Sequence, residues 1–221
     1  MNQMSLQKIT LAACLVLSSL PAMAAKPQYS ITAGKDDVCK LTQGFLNSER
    51  SKVPAGFTLL AQPQKPANAK LPADAQGEQL VPFDFDNDGV PDQVFSYDGA
   101  STYLMGTVFY VQHGKAGGVL KPNPAVADLA IYPCQFDASV KKSASCPPLA
   151  QDADEAGISF DIPEQKSVFF RGRYVEMTPV RYQNKTFLVL VSASGDTRKY
   201  AALIQPEPGK RYRPACLFKN K

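Results

Sequence analysis

The chain predicts a mainly β (α+β) fold: an antiparallel β-sheet sandwich or a small, incomplete propeller-like fold with one N-terminal helix. Three observations carry that prediction. Short β-branched and aromatic runs fill the chain from residue 57 onward, turn-forming groups separate most of them, and a helical apolar period occurs only near the start. The composition, 221 residues with 44% hydrophobic and 20% charged, supplies enough apolar material for one sizeable core. The simplest division is a secretory leader at 1–24 followed by a single mainly β domain at 25–221.

Taken in order, Val38, Leu41, Phe45 and Leu46 recur at three- and four-residue spacing between Asp36 and Asn47. That spacing predicts a helix with one buried face, and Asp36 and Asp37 fall in its first turn, where the helix dipole favours negative charge. Phe57 to Ala61 follows as a strand, and the Pro-, Ala-, Gln- and Lys-rich stretch 62–77 reads as a surface loop. Further strands are expected at Thr102–Gln112, Leu129–Tyr132, Ile158–Ile162, Ser167–Phe170, Tyr174–Tyr182, Thr186–Ser192, Tyr200–Ile204 and Pro214–Phe218. Turn residues at 113–118, Gln183-Asn184-Lys185 and Gly195-Asp196 suit hairpin connections, the clearest joining Tyr174–Tyr182 to Thr186–Ser192. No fixed period establishes an internal repeat.

Residues 1–24 have the parts of a secretory signal: Lys8, an apolar stretch from Leu11 to Leu20, Pro21, and Ala22-Met23-Ala24 as a cleavage site. Leu11-Ala12-Ala13-Cys14 superficially matches a lipoprotein box, but too little apolar sequence precedes Cys14. No later stretch approaches the roughly 20 apolar residues that a membrane span needs. Loss of the leader leaves Cys39, Cys134, Cys146 and Cys216, an even number in an exported chain, so two disulfides are expected. Three pairings are possible. The favoured one is Cys134–Cys146, closing a short loop, with Cys39–Cys216 joining the two ends. Zinc is the rival, disfavoured because no Cys-x-x-Cys pair occurs and the single histidine, His113, is remote in sequence from the cysteines. The expected location is periplasmic or secreted.

Between the predicted strands lies Asp84-Phe85-Asp86-Asn87-Asp88-Gly89-Val90-Pro91-Asp92. Carboxylates at alternating positions around one glycine suit a hard cation, since Ca²⁺ takes six to eight oxygen ligands and a short loop supplies them at alternate residues. The expected ligands are Asp84, Asp86, Asp88 and Asp92 through their side chains and Val90 through its carbonyl, with Gly89 making the sharp turn. Phe95 stands where a helix-loop-helix site would place a bidentate Glu, so that type is disfavoured. Leu80-Val81 with Phe83 before the loop, and Val94-Phe95 with Tyr97 after it, argue instead for strand-loop-strand.

Over these dozen residues the motif resembles the Asp-x-Asx-x-Asp-Gly-x-Pro-Asp loop of FG-GAP and VCBS-type repeats. In those families the loop joins two β-strands and binds calcium, and the resemblance implies the same here. A single copy is present, whereas propeller members carry several.

Other chemistry is thinly represented. His113 beside Gly114 reads as a surface residue, and no Gly-x-Ser-x-Gly elbow occurs. Ser139-Val140-Lys141-Lys142 matches Ser-x-x-Lys without its companion motifs, and Asp152, Asp154 and Glu155 lack the alternation of a second metal loop. Asn184-Lys185-Thr186 matches an N-glycosylation acceptor. The net charge of +4 is mild, and the basic residues near the end form no continuous block, so nucleic acid is not an expected partner. The functional expectation is an exported calcium-binding module in which a structural Ca²⁺ presents Tyr97, Tyr103 or Tyr110 to a protein or glycan of the cell envelope. The rivals are an envelope hydrolase using carboxylates brought together by folding, and an inhibitor or immunity-like protein for an envelope enzyme.

Overall fold

The computed structural model of the protein describes residues 28–62, 77–98, 107–137, 143–146, 156–162, 165–171, 175–192 and 199–221. The early elements are β1 (Tyr29–Ala33), α1 (Asp37–Asn47), β2 (Phe57–Leu59), β3 (Gly77–Gln79), β4 (Gln93–Asp98) and β5 (Thr107–Gln112). A 3₁₀ turn at Pro124–Val126 leads to β6 (Asp128–Leu129), β7 (Cys134–Asp137), β8 (Ala144–Ser145), β9 (Gly157–Ile162) and β10 (Gln165–Arg171). The chain finishes with β11 (Val175–Tyr182), β12 (Lys185–Ser192), β13 (Tyr200–Glu207) and β14 (Arg211–Asn220).

These strands form three sheets, and the protein is mainly β with one helix among the described residues. A seven-stranded sheet runs β1, β14, β13, β12, β11, β2, with β8 also pairing with β14. A four-stranded sheet runs β3, β4, β5, β6, and a three-stranded sheet runs β10, β9, β7. Pairing is antiparallel throughout except between β7 and β9, which run parallel. No sheet closes into a barrel among the described residues.

The large sheet is covered on both faces, which explains why β12 is an unbroken apolar run. Side chains alternate across a strand. Phe187, Val189 and Val191 therefore share a core with α1 residues Val38, Phe45 and Leu46, while Leu188 and Leu190 share another with Val111, Phe160 and Phe170 of the smaller sheets. Thr42, on the buried face of α1, is satisfied by donating its hydroxyl to the Val38 carbonyl at 2.7 Å.

One disulfide reinforces each region. Cys39 of α1 is bonded to Cys216 of β14, with Cα atoms 5.7 Å apart across 177 residues of sequence. Cys134 of β7 is bonded to Cys146 just after β8, across 12 residues. Gly34 makes the first bond possible: its φ is +91°, and a Cβ there would lie 2.4 Å from the Ala215 carbonyl oxygen and 2.8 Å from the Cys39 sulfur.

The expected helix and the expected hairpin are both present. β11 and β12 pair in register from Val175 opposite Ser192 to Tyr182 opposite Lys185. The turn residues Gln183 and Asn184 have φ of 48° and 59°, the left-handed pair that matches strand twist. Several details differ from the sequence reading. Only Asp128–Leu129 is strand where Leu129–Tyr132 was expected; Ala130, Ile131 and Tyr132 are buried in irregular backbone. The connection after β5 is no tight hairpin but runs through the 3₁₀ turn to β6. β1, β7 and β8 carry too few residues, or too mixed a pattern, to stand out in sequence. The leader, Tyr103, the Ser139–Lys142 motif, the 152–155 acidic cluster and the Gly195-Asp196 turn lie outside the described residues.

Candidate metal centre

The acidic loop leaves the four-stranded sheet just before β4, and its neck is closed by an antiparallel bridge. The Phe83 amide donates to the Asp92 carbonyl at 3.1 Å and the Asp92 amide to the Phe83 carbonyl at 2.8 Å. Phe83 and Phe85 are buried in the core; Asp86 is buried as well, Asp84 is half-buried and Asp88 is exposed. Gly89 takes φ of +89°, as the sharp turn requires, with open space where a Cβ would be.

Within the loop the carboxylates gather backbone amides. Asp84 accepts from the amides of Asp88 and Gly89, both at 3.0 Å, Asp86 accepts from Asp88 at 3.3 Å, and Asp88 accepts from Val90 at 2.7 Å. Asp92, 1% exposed, accepts from Phe85 at 2.7 Å with one oxygen and from Gly114 at 2.9 Å with the other. Asp84, Asp86 and Asp88 each offer an oxygen, and all three lie within 4.8 Å of one another. Asp92 belongs to a second group at the same spacing, with Asp86 and His113.

The crowding leaves an electrostatic signature. Burial, then the neighbouring charges of Asp92 and Asp88, push the Asp86 carboxyl up to about 6 from 3.8. Burial likewise raises Asp84, opposed by the hydrogen bond from the Gly89 amide. His113 is raised chiefly by its hydrogen bond to Asp92, with burial opposing. Each carboxylate disfavours its neighbours' ionisation, and a divalent cation would reverse that by neutralising them together.

Two parts of the site were not apparent in the sequence, the Asn87–Thr186 anchor and His113. Asn87 tolerates a left-handed φ of 62°, which aims its side chain away from the carboxylates and onto the large sheet. It donates to the carbonyls of Thr186 at 3.1 Å and Pro206 at 2.7 Å, and accepts from the Thr186 amide at 2.6 Å. Thr186 returns its hydroxyl to the Asp84 carbonyl at 2.5 Å, fixing the loop to β12 and β13. In sequence Asn87 passes for a spacer in the motif, and Thr186 for part of a glycosylation pattern.

The second is His113, expected as a surface residue. It remains 37% exposed, but its Nδ1 lies 3.4 Å from Asp86 Oδ2 and 3.5 Å from Asp92 Oδ1. Gly114 makes this approach possible, since a Cβ there would meet the Pro91 carbonyl oxygen at 2.3 Å and the Val90 side chain at 2.8 Å.

Of the aromatics expected to face a partner, Tyr110 is half-buried and packs against Leu129 and Ala156, so it is part of the fold. Tyr103 and the side chain of Tyr97 lie outside the described residues. Beside the loop runs a groove of about 590 Å³, lined by Asp84 and Asp88 and by Lys185, Glu207 and Arg211. No protein family, no curated protein and no solved structure matches this chain.

Proposed function

We propose that the protein is an exported calcium-binding module of the cell envelope, whose cation orders the 84–92 loop and the groove beside it for a protein or glycan partner. The observation that carries this reading is the convergence of Asp84, Asp86 and Asp88 within 4.8 Å, on a loop whose neck and tip are both fixed to the sheets. A loop already shaped by amide hydrogen bonds gives up little conformational entropy when an ion binds. The signal-like residues 1–24 motivate a periplasmic or secreted location, with which the two disulfides are compatible. The polar groove beside the loop is the docking place for the partner in this reading.

Calorimetric titration of metal-stripped, oxidised protein with Ca²⁺, alongside its melting temperature, tests the proposal. Binding near one equivalent is expected, with a stability gain of about 2.7 kcal/mol at free Ca²⁺ a hundredfold above Kd. Asp88→Ala should lose both. Failure to bind at several millimolar Ca²⁺, with wild type and variant melting alike, would reduce the loop to an acidic turn.

A further inference from the structure

We propose that Asp86, Asp92 and His113 form a distinct site for a borderline divalent ion, Zn²⁺ in the first instance, overlapping the hard-cation set through the shared Asp86. The inference rests on the loop being a cation site but not on that cation being calcium.

Distance is the first argument. An imidazolium donating to a carboxylate sits at about 2.7–2.9 Å. Here Nδ1 stands off at 3.4 and 3.5 Å from one oxygen of each carboxylate. Donor atoms at the corners of a tetrahedron with metal bonds of 2.0–2.1 Å are about 3.3 Å apart, close to the 3.4 and 3.5 Å found here.

Ligand chemistry is the second. The Asp84, Asp86 and Asp88 set offers only oxygen, which suits Ca²⁺, whereas an imidazole nitrogen with two carboxylates suits Zn²⁺ and its transition-metal neighbours. The shell is also supported from outside. Asp92 is held by the Phe85 and Gly114 amides, and Asp86 directs one oxygen to the Asp88 amide and the other to His113. Three protein ligands leave the fourth tetrahedral position for a water or a ligand atom, and His113, 37% exposed, gives the set access to solvent.

Because His113 is the single histidine, its imidazole resonances report on the site without ambiguity. The experiment follows them by NMR in oxidised, untagged, metal-stripped protein during separate titrations with Zn²⁺ and with Ca²⁺, and repeats the Zn²⁺ titration on His113→Gln by calorimetry. Expected are saturation of the imidazole shift at one equivalent of Zn²⁺ and an affinity at least tenfold weaker in the variant. Imidazole signals indifferent to Zn²⁺, or equal Zn²⁺ affinity in a folded His113→Gln, would overturn the inference. The wild-type spectrum decides the matter even if the variant does not fold. Stoichiometric Ca²⁺ binding with no Zn²⁺ response would sink this inference and leave the calcium reading standing; Zn²⁺ binding at the imidazole without any Ca²⁺ binding would do the reverse.

Discussion

Strand β12 and the acidic loop meet at Thr186, yet they are held in place by opposite kinds of force. From Phe187 to Ser192 every residue of β12 is buried, and its position follows from apolar side chains filling cores on both faces of the sheet. The loop buries two Phe side chains and otherwise depends on named atoms: Asn87 on Thr186 and Pro206, Asp92 on Phe85 and Gly114, Asp84 on Asp88 and Gly89. The strand tolerates exchange among apolar residues of similar volume. The loop is less tolerant at its anchors, because removing Asn87 or Asp92 leaves buried or part-buried backbone groups without their partner.

The largest effect on this contrast should come from the covalent link under the strand layer. Replacing Cys39 and Cys216 together by Ala should cost about 5 kcal/mol on the loop-entropy model, since the closure spans 177 residues. Chemical denaturation should show this loss both with and without Ca²⁺. Next, Leu190→Ala, at a site with no exposure, should cost about 3–4 kcal/mol in the metal-free and the calcium-loaded protein alike. A loss that depended on calcium would break the separation between strand and loop.

Asn87→Ala should cost about 2 kcal/mol, the usual scale for stranding buried backbone groups, here those of Thr186 and Pro206. Unlike the Leu190 variant, it should also weaken Ca²⁺ binding, measurable by calorimetry. A variant as stable as wild type and equal in affinity would show that the loop needs no anchor.

The smallest effect is a pH dependence. Asp86 has a folded value of about 6 against 3.8, so between those values the folded state holds more protons than the unfolded state. Stability then falls as pH rises through that window. His113, raised above 6.5, adds stability that is present below that value and lost as pH rises through its folded value, so both groups act in one direction. Metal-free protein should therefore melt higher at pH 5 than at pH 7, by on the order of 1–2 kcal/mol in stability. Asp86→Asn should flatten most of the difference, and saturating Ca²⁺ should narrow it. A metal-free melting temperature that rises from pH 5 to pH 7 would contradict the crowding of charge in the loop.

The same contrast explains which features were legible in the sequence. Val38, Phe45 and Leu46 announce α1 by spacing, and the run Phe187–Val191 announces β12 by its apolar length, because burial acts on residue type and period. The acidic loop is legible because its carboxylates lie within nine consecutive residues. His113 is not legible: it stands 21 residues beyond Asp92, and only the pairing of β4 with β5 brings the two together. Tyr110 is a further case that only packing reveals: half-buried, it lies against Leu129 and Ala156.

The sequence by itself therefore determined the β-rich class, the single early helix, the best hairpin and the local clustering of carboxylates, all of which depend on neighbours within about one strand or turn. Tertiary structure alone decided that β7 and β9 run parallel, that the tip of the acidic loop is pinned to β12 and β13 through Asn87, and that His113 comes within 3.5 Å of both Asp86 and Asp92. The physical reason is range. Propensity and periodicity are written in adjacent residues, whereas hydrogen bonds and ligand shells form between segments that meet only when the sheets pack.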